Sequence, residues 1–173
     1  MIFTATADSF APGGWLDLGG RQVRCALGQA GVKPAEDKRE GDLASPAGVW
    51  PIRRVFYRRD RGDPPSTALA VKPFSRDDGW CDDPADAAYN RLVKLPHATS
   101  CEAMWRDDHL YDIVVVLGHN DDPPEPGMGS AIFLHLARED YSPTEGCVAL
   151  ARPDLEELLA AAHPGDAIEI RAG

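Results

Sequence analysis

Two side chains in one short stretch have the types and the spacing for covalent chemistry. His135 lies at the end of an apolar run, and Cys147 follows Gly146 twelve residues later. A thiol attacks as its thiolate, so it needs a neighbouring base or positive charge. A strand-borne His and a Cys at the end of a short return loop can meet and satisfy that need. Gly146 lets the backbone approach a bound group closely, and the N–H groups of Gly146 and Cys147 are candidates to face a developing oxyanion. Taken alone, a solitary His and a solitary Cys are more often structural than catalytic. The rivals are weaker. Cys81 follows Trp80 in a loop, but no basic residue stands at a suggestive spacing from it. A metal centre of His135, Cys147, His119 and Cys81 would draw its ligands from strand ends. The four cysteines contain no CxxC pair, so no metal and no other cofactor is expected.

These residues must be positioned by the elements around them. Ile2 to Ala7 alternates apolar and hydroxylated residues, as a half-buried strand does. Trp15 to Leu18 and Gln22 to Leu27 flank Gly19-Gly20 and predict a hairpin, because glycine supplies the positive φ of a tight turn. Val49 to Tyr57 and Ala68 to Lys72 read as strands, and Arg58 to Pro65 as a solvated loop carrying Arg58, Arg59 and Arg61. A helical turn is expected around Ala85 to Tyr89, and a short helix capped by Ser100 through Trp105. Asp112 to Leu117 is a β-branched run, which predicts a strand buried on both faces. Asn120 to Gly129 is rich in proline and glycine and reads as a loop, and Ala131 to Leu136 as a second buried strand. Leu155, Leu158, Leu159 and Ala162 recur at helical spacing behind Pro153, so Asp154 to Ala162 is the clear helix. Ala167 to Arg171 returns as a strand. The sum is a mostly β chain, without repeats or a long linker, read as one domain over residues 1–173.

Composition narrows the partners. The 173 residues carry 18 basic and 28 acidic side chains, a net charge of −10. That balance disfavours nucleic acid and anionic membrane surfaces. No apolar stretch is long enough to span a membrane. Within so acidic a chain, Arg91 and Arg138 are candidates to hold a carboxylate, with Tyr89 and Asn90 beside the first. A plain surface role is the alternative for each of them. His119, at the end of the Asp112–Leu117 strand, would line a pocket or cap a turn. Met1 to Asp8 lacks the basic and apolar regions of a signal peptide, which leaves the cytoplasm and export by an unseen route both open.

Thr144-Glu145-Gly146-Cys147-Val148, downstream of His135, resembles the His…Ser/Thr-x-Gly-Cys signature of the YkuD-type L,D-transpeptidase catalytic domain. Lys38 to Gly48, KREGDLASPAG, resembles that family's Lys-x-Gly-Asp-x-x-Thr/Ser-Pro-x-Gly stretch. Trp80 to Pro84, Tyr89 to Arg91 and Gly118 to Asn120 look like its compact, single-domain proteobacterial branch. The resemblance implies a β-sandwich with one or two short helices. It implies Cys147 as nucleophile toward peptidoglycan stem peptides, through a thioester, with His135 as base and Thr144 and Gly146 supporting the pocket. In the family the His is oriented by a backbone carbonyl, so no acidic partner is required. Carbapenem-type β-lactams are the implied covalent inhibitors, and the periplasm the implied location. Three positions depart from the pattern: Leu136 stands in place of a Gly, Glu145 interrupts the usual string, and Ala149 replaces a polar residue that assists substrate binding. Crosslinks from L-alanine at stem position one to diaminopimelate are slightly favoured over those joining two diaminopimelates. A carboxypeptidase or endopeptidase on the same scaffold, and a non-catalytic muropeptide-binding domain, are the alternatives.

Overall fold

The computed structural model describes residues Met1–Gly173. In chain order the strands are β1 Ile2–Ala7, β2 Gly14–Asp17, β3 Gln22–Ala26, β4 Val32–Lys33, β5 Ser45–Pro46, β6 Gly48–Tyr57 and β7 Val71–Pro73. They continue with β8 Asp78–Cys81, β9 Leu92–Lys94, β10 Cys101–Ala103, β11 Ile113–Leu117, β12 Phe133–Leu136, β13 Val148–Leu150 and β14 Ala167–Arg171. One helix, α1 Arg152–Ala161, sits between the last two. The mostly β reading with a single helix holds.

The main sheet has nine strands in the order β11-β12-β13-β3-β2-β1-β14-β6-β7. It closes on itself because β11 also pairs with β6. The ten residues of β6 make this possible: Gly48 to Pro51 pair with β14, and Ile52 to Tyr57 pair with β11. Two faces then follow from the two-residue period of a strand. Ile113, Val115 and Leu117 point into the enclosed core, while Val114 and Val116 point out. Leu134 and Leu136 likewise point in, and Phe133 points out. The β-branched run of β11 is buried on both sides because each face has its own apolar cluster.

Helix α1 fills the inner core. Leu155, Leu158 and Leu159 are fully buried among Phe3, Leu16 and Leu150. Each such leucine stabilises the fold by about 1.5–3 kcal/mol relative to an exposed one. Pro153 lies in the first turn, where no backbone N–H is missed.

The outer face of β11 and β12 is covered by the excursion between β7 and β11. That segment builds a second, three-stranded sheet in the order β10-β8-β9. Trp80 packs edge-on against Phe133 at 5.0 Å between ring centroids. Two expectations fail in this region. Cys101 to Ala103 is a strand rather than part of a helix begun by Ser100, because Cys101 and Glu102 pair across to Cys81 and Trp80. Arg58 is buried, not solvated. Its guanidinium stacks over Trp105 at 3.8 Å and is held by Asp60 and the Arg106 carbonyl.

Candidate active site

His135 and Cys147 reach one face from neighbouring strands. β12 and β13 run parallel, with Leu134 beside Val148 and His135 beside Ala149. Cys147 is one residue before β13, so it stands beside Phe133. The Phe133 N–H donates to Cys147 Sγ at 3.4 Å, and the thiol itself donates to the Ala131 carbonyl at 3.2 Å. Both side chains therefore emerge outward at diagonal positions, and both line one cavity of about 470 Å³.

The imidazole tautomer is fixed by the backbone. His135 Nδ1 lies 2.9 Å from the Leu136 carbonyl. A carbonyl only accepts, so Nδ1 carries the proton and Nε2 keeps its lone pair. Tyr111 packs edge-on against the ring at 5.3 Å and donates its hydroxyl to Glu102 at 2.6 Å. Burial lowers the His135 pKa from 6.5 to about 4, and the charges of Arg106 and Arg138 help. Burial and the Glu102 carboxylate push the Cys147 thiol up to about 12. Both shifts favour the uncharged forms, a thiol and a neutral imidazole lining one cavity.

This depressed value makes a prediction for stability. The unfolded chain takes up the His135 proton below pH 6.5, whereas the folded one resists until about pH 4. The stabilisation is thus complete above pH 6.5 and is lost as pH falls toward 4, by about 3 kcal/mol. Denaturant unfolding at pH 7 and pH 4.5 checks it: the fall between the two is expected to be smaller in His135→Gln than in the wild type. An equal fall in both would contradict it.

The loop before Cys147 is tied from several sides. Thr144 Oγ1 donates to the Cys147 carbonyl at 2.7 Å and accepts the Gly146 N–H at 3.1 Å. The Thr144 backbone bonds to Leu27 and Gln29 just past β3. Gly146 has φ +137, and a Cβ there would meet the Ala44 carbonyl at 2.8 Å. Ser45, in β5, accepts the Gly28 N–H and donates to the Cys147 carbonyl. Of the two backbone donors expected at an oxyanion, Gly146 is engaged by Thr144, while the Cys147 N–H has no protein acceptor.

The other expected site residues are dispersed. Arg138 lines the cavity, exposed and without an ion pair. Tyr89, Asn90, Arg91 and His119 do not line it. Tyr89 is buried and donates to Glu40, which does form part of the wall. Arg91 faces a separate groove with Trp80 and Phe133. His119 is buried against Trp50 and bonded to the Met128 carbonyl. Asn90 makes four hydrogen bonds. Its amide donates to the His119 and Asn120 carbonyls, and its oxygen accepts from Trp80 Nε1 and from the Ala131 N–H. Ala131 is the residue whose carbonyl receives the Cys147 thiol.

Sequence reasoning missed Lys38, Ser130, Glu102, Arg106 and Tyr111, which complete the wall. Lys38 is buried, and its ammonium is held by Asp42 and the Arg39 carbonyl. Its place at the head of the KREGD string was the one available signal. The Ser130 hydroxyl is buried without a partner. Glu102 and Tyr111 arrive from distant segments and leave no local trace.

Residues 14–170 match the model of the YkuD family, described as the L,D-transpeptidase catalytic domain. No curated protein matches the chain. Among solved structures, the crystal structure of Mycobacterium tuberculosis L,D-transpeptidase 1 is similar at 14% identity, with a TM-score of 0.39. The similarity covers 98% of this chain and 58% of that one, so the chain spans well under two thirds of that protein's length.

Proposed function

Because the chain belongs to the YkuD L,D-transpeptidase catalytic domain family, we propose that it is a cysteine acyltransferase acting on peptidoglycan stem peptides, with Cys147 as nucleophile and His135 as base. The observation that carries this reading is the pair itself. Nε2 of His135 is freed by the Nδ1 bond to Leu136, and His135 lines the same cavity as Cys147. Cys147 Sγ attacks the carbonyl carbon between an L-centre and a D-centre while its proton passes to His135 Nε2. The Cys147 N–H faces the oxyanion. As the C–N bond breaks, His135 returns the proton to the departing amine and a thioester remains. The side-chain amine of a diaminopimelate attacks the thioester, gives its proton to His135 and regenerates the thiol. Arg138, the unpaired cation at the rim, holds a stem carboxylate.

The finer reading places the chain in the compact proteobacterial branch and the reaction in the periplasm. It favours L-alanine at stem position one as the donor, and it makes carbapenem-type β-lactams acylating inhibitors of Cys147. Ala149 supports an altered register, since it lines the cavity where the family carries a polar residue.

The test uses defined disaccharide-tripeptide and disaccharide-tetrapeptide muropeptides, with products read by mass spectrometry. Crosslinked dimers are expected with the wild type and none with Cys147→Ala, and fragmentation identifies the donor position. Shortened monomers without dimers would replace transfer by hydrolysis. No product from either substrate would overturn the reading.

A further inference from the structure

The outer three-stranded sheet gathers a second set of reactive side chains that the chemistry above does not use. Cys81 ends β8 and Cys101 opens β10, and they are direct partners across the antiparallel pair. The segment that follows β9 brings His97 to them. The two sulfurs and a ring nitrogen all lie within 4.8 Å of one another. Both thiols are free.

The surroundings match what a metal-bound histidine requires. His97 Nε2 is held by Asp86 Oδ2 at 3.1 Å, and Thr99 Oγ1 donates to that same oxygen at 2.7 Å. Nδ1 makes no hydrogen bond. A carboxylate that grips one ring nitrogen fixes the tautomer and turns the other toward a metal. Asp86 also places a carboxylate beside the cluster, which attracts a divalent cation.

We propose that Cys81, His97 and Cys101 form a binding site for a thiophilic divalent cation, with Asp86 orienting the imidazole. Two sulfurs and one imidazole nitrogen are a zinc ligand set, and a tetrahedral ion keeps its fourth position for water. Binding displaces the two thiol protons, so uptake strengthens as pH rises. The ion would bridge β8 to β10 on the side away from the cavity. β10 carries Glu102, the partner of Tyr111, so the cation would brace the wall against which His135 packs. The two cysteines are twenty residues apart and form no CxxC pair, and His97 lies four residues before Cys101, so the set is assembled only when β8 pairs with β10.

Cobalt(II) is the probe. Protein reduced and stripped by chelator is titrated with it, and zinc then competes. Expected is stoichiometric uptake with a sulfur-to-cobalt charge-transfer band, displaced by zinc, in the wild type and in Cys147→Ala alike. Affinity is expected to fall roughly 10–100-fold in Asp86→Asn, which loses the group that orients the ring, and by more than that in His97→Ala and Cys101→Ser, which lose a ligand. His97 is partly exposed, so its variant keeps the test decisive where a cysteine variant fails to fold. Zinc is also expected to raise the Tm of the wild type and not that of His97→Ala. Absence of the band overturns the proposal. Uptake that survives in His97→Ala and vanishes in Cys147→Ala also overturns it, because that metal sits on the nucleophile. So does a Cys81–Cys101 disulfide that forms readily in a protein whose reduced state takes up no cobalt.

Discussion

Alanine at His135 is expected to lower kcat/KM for crosslinking by roughly 10²–10⁴-fold, the usual contribution of a positioned general base. The effect is expected on kcat, because in the proposed chemistry His135 moves the proton of the reacting thiol rather than binding the stem peptide. The wild-type pH profile carries its own signature. The productive form has Nε2 unprotonated, and the free protein keeps it so down to about pH 4. The acid limb of kcat/KM therefore lies near pH 4 rather than near the ordinary imidazole value of 6.5. The thiol is expected to react sluggishly with iodoacetamide at neutral pH, because a group pushed up to about 12 carries little thiolate. Fast alkylation at neutral pH would mean that the pair rests as thiolate and imidazolium, and an acid limb near 6.5 would mean that burial does not hold the ring neutral. The first outcome would overturn the neutral-pair mechanism.

Asn90→Asp is expected to destabilise the fold by about 3–6 kcal/mol, although it changes a single atom. The two amide protons become lone pairs that face the His119 and Asn120 carbonyls at close range. Each orphaned carbonyl costs about 1–3 kcal/mol, and a buried carboxylate adds its own desolvation. At roughly 2–4 °C per kcal/mol for a chain of this size, Tm falls by about 10 °C or more. Acid should restore part of the loss, since a protonated Asp regains one donor. Activity is expected to fall further than stability requires, because Asn90 holds the Ala131 N–H while the Ala131 carbonyl holds the thiol. Thermal melts at pH 5 and pH 8, beside kcat for the folded fraction, check both parts. An unchanged Tm would show that the four bonds are dispensable.

What could be read in advance follows the reach of each interaction. Ile2–Ala7, the Gly19-Gly20 hairpin, the β11 run and the leucine spacing of α1 are local patterns, and each appears where the period placed it. The outer sheet is different. Asp78 to Ala103 has no sustained period, and its strands exist because Cys81 meets Cys101 and Trp80 meets Glu102 across long loops. A Ser before a mixed run looks like a helix cap until such a partner appears. The same divide runs through the site. His135, Thr144, Gly146 and Cys147 fall within one short string and were legible together. The role of Asn90 was not, because its partners come from Trp80, from Ala131 and from the turn at His119 and Asn120.

The bond from His135 Nδ1 to the Leu136 carbonyl has a consequence for mutational robustness. Where an acidic side chain aims the histidine, one nucleotide change can delete the aiming group. Here that group is part of the main chain. Every amino acid, proline included, brings a carbonyl to position 136, so no substitution there can erase it. Under the proposed chemistry, the coding target for loss of the proton transfer shrinks to the histidine and the cysteine themselves. Position 136 is left to answer only to packing, which is how a leucine can point into the core while its backbone serves the site.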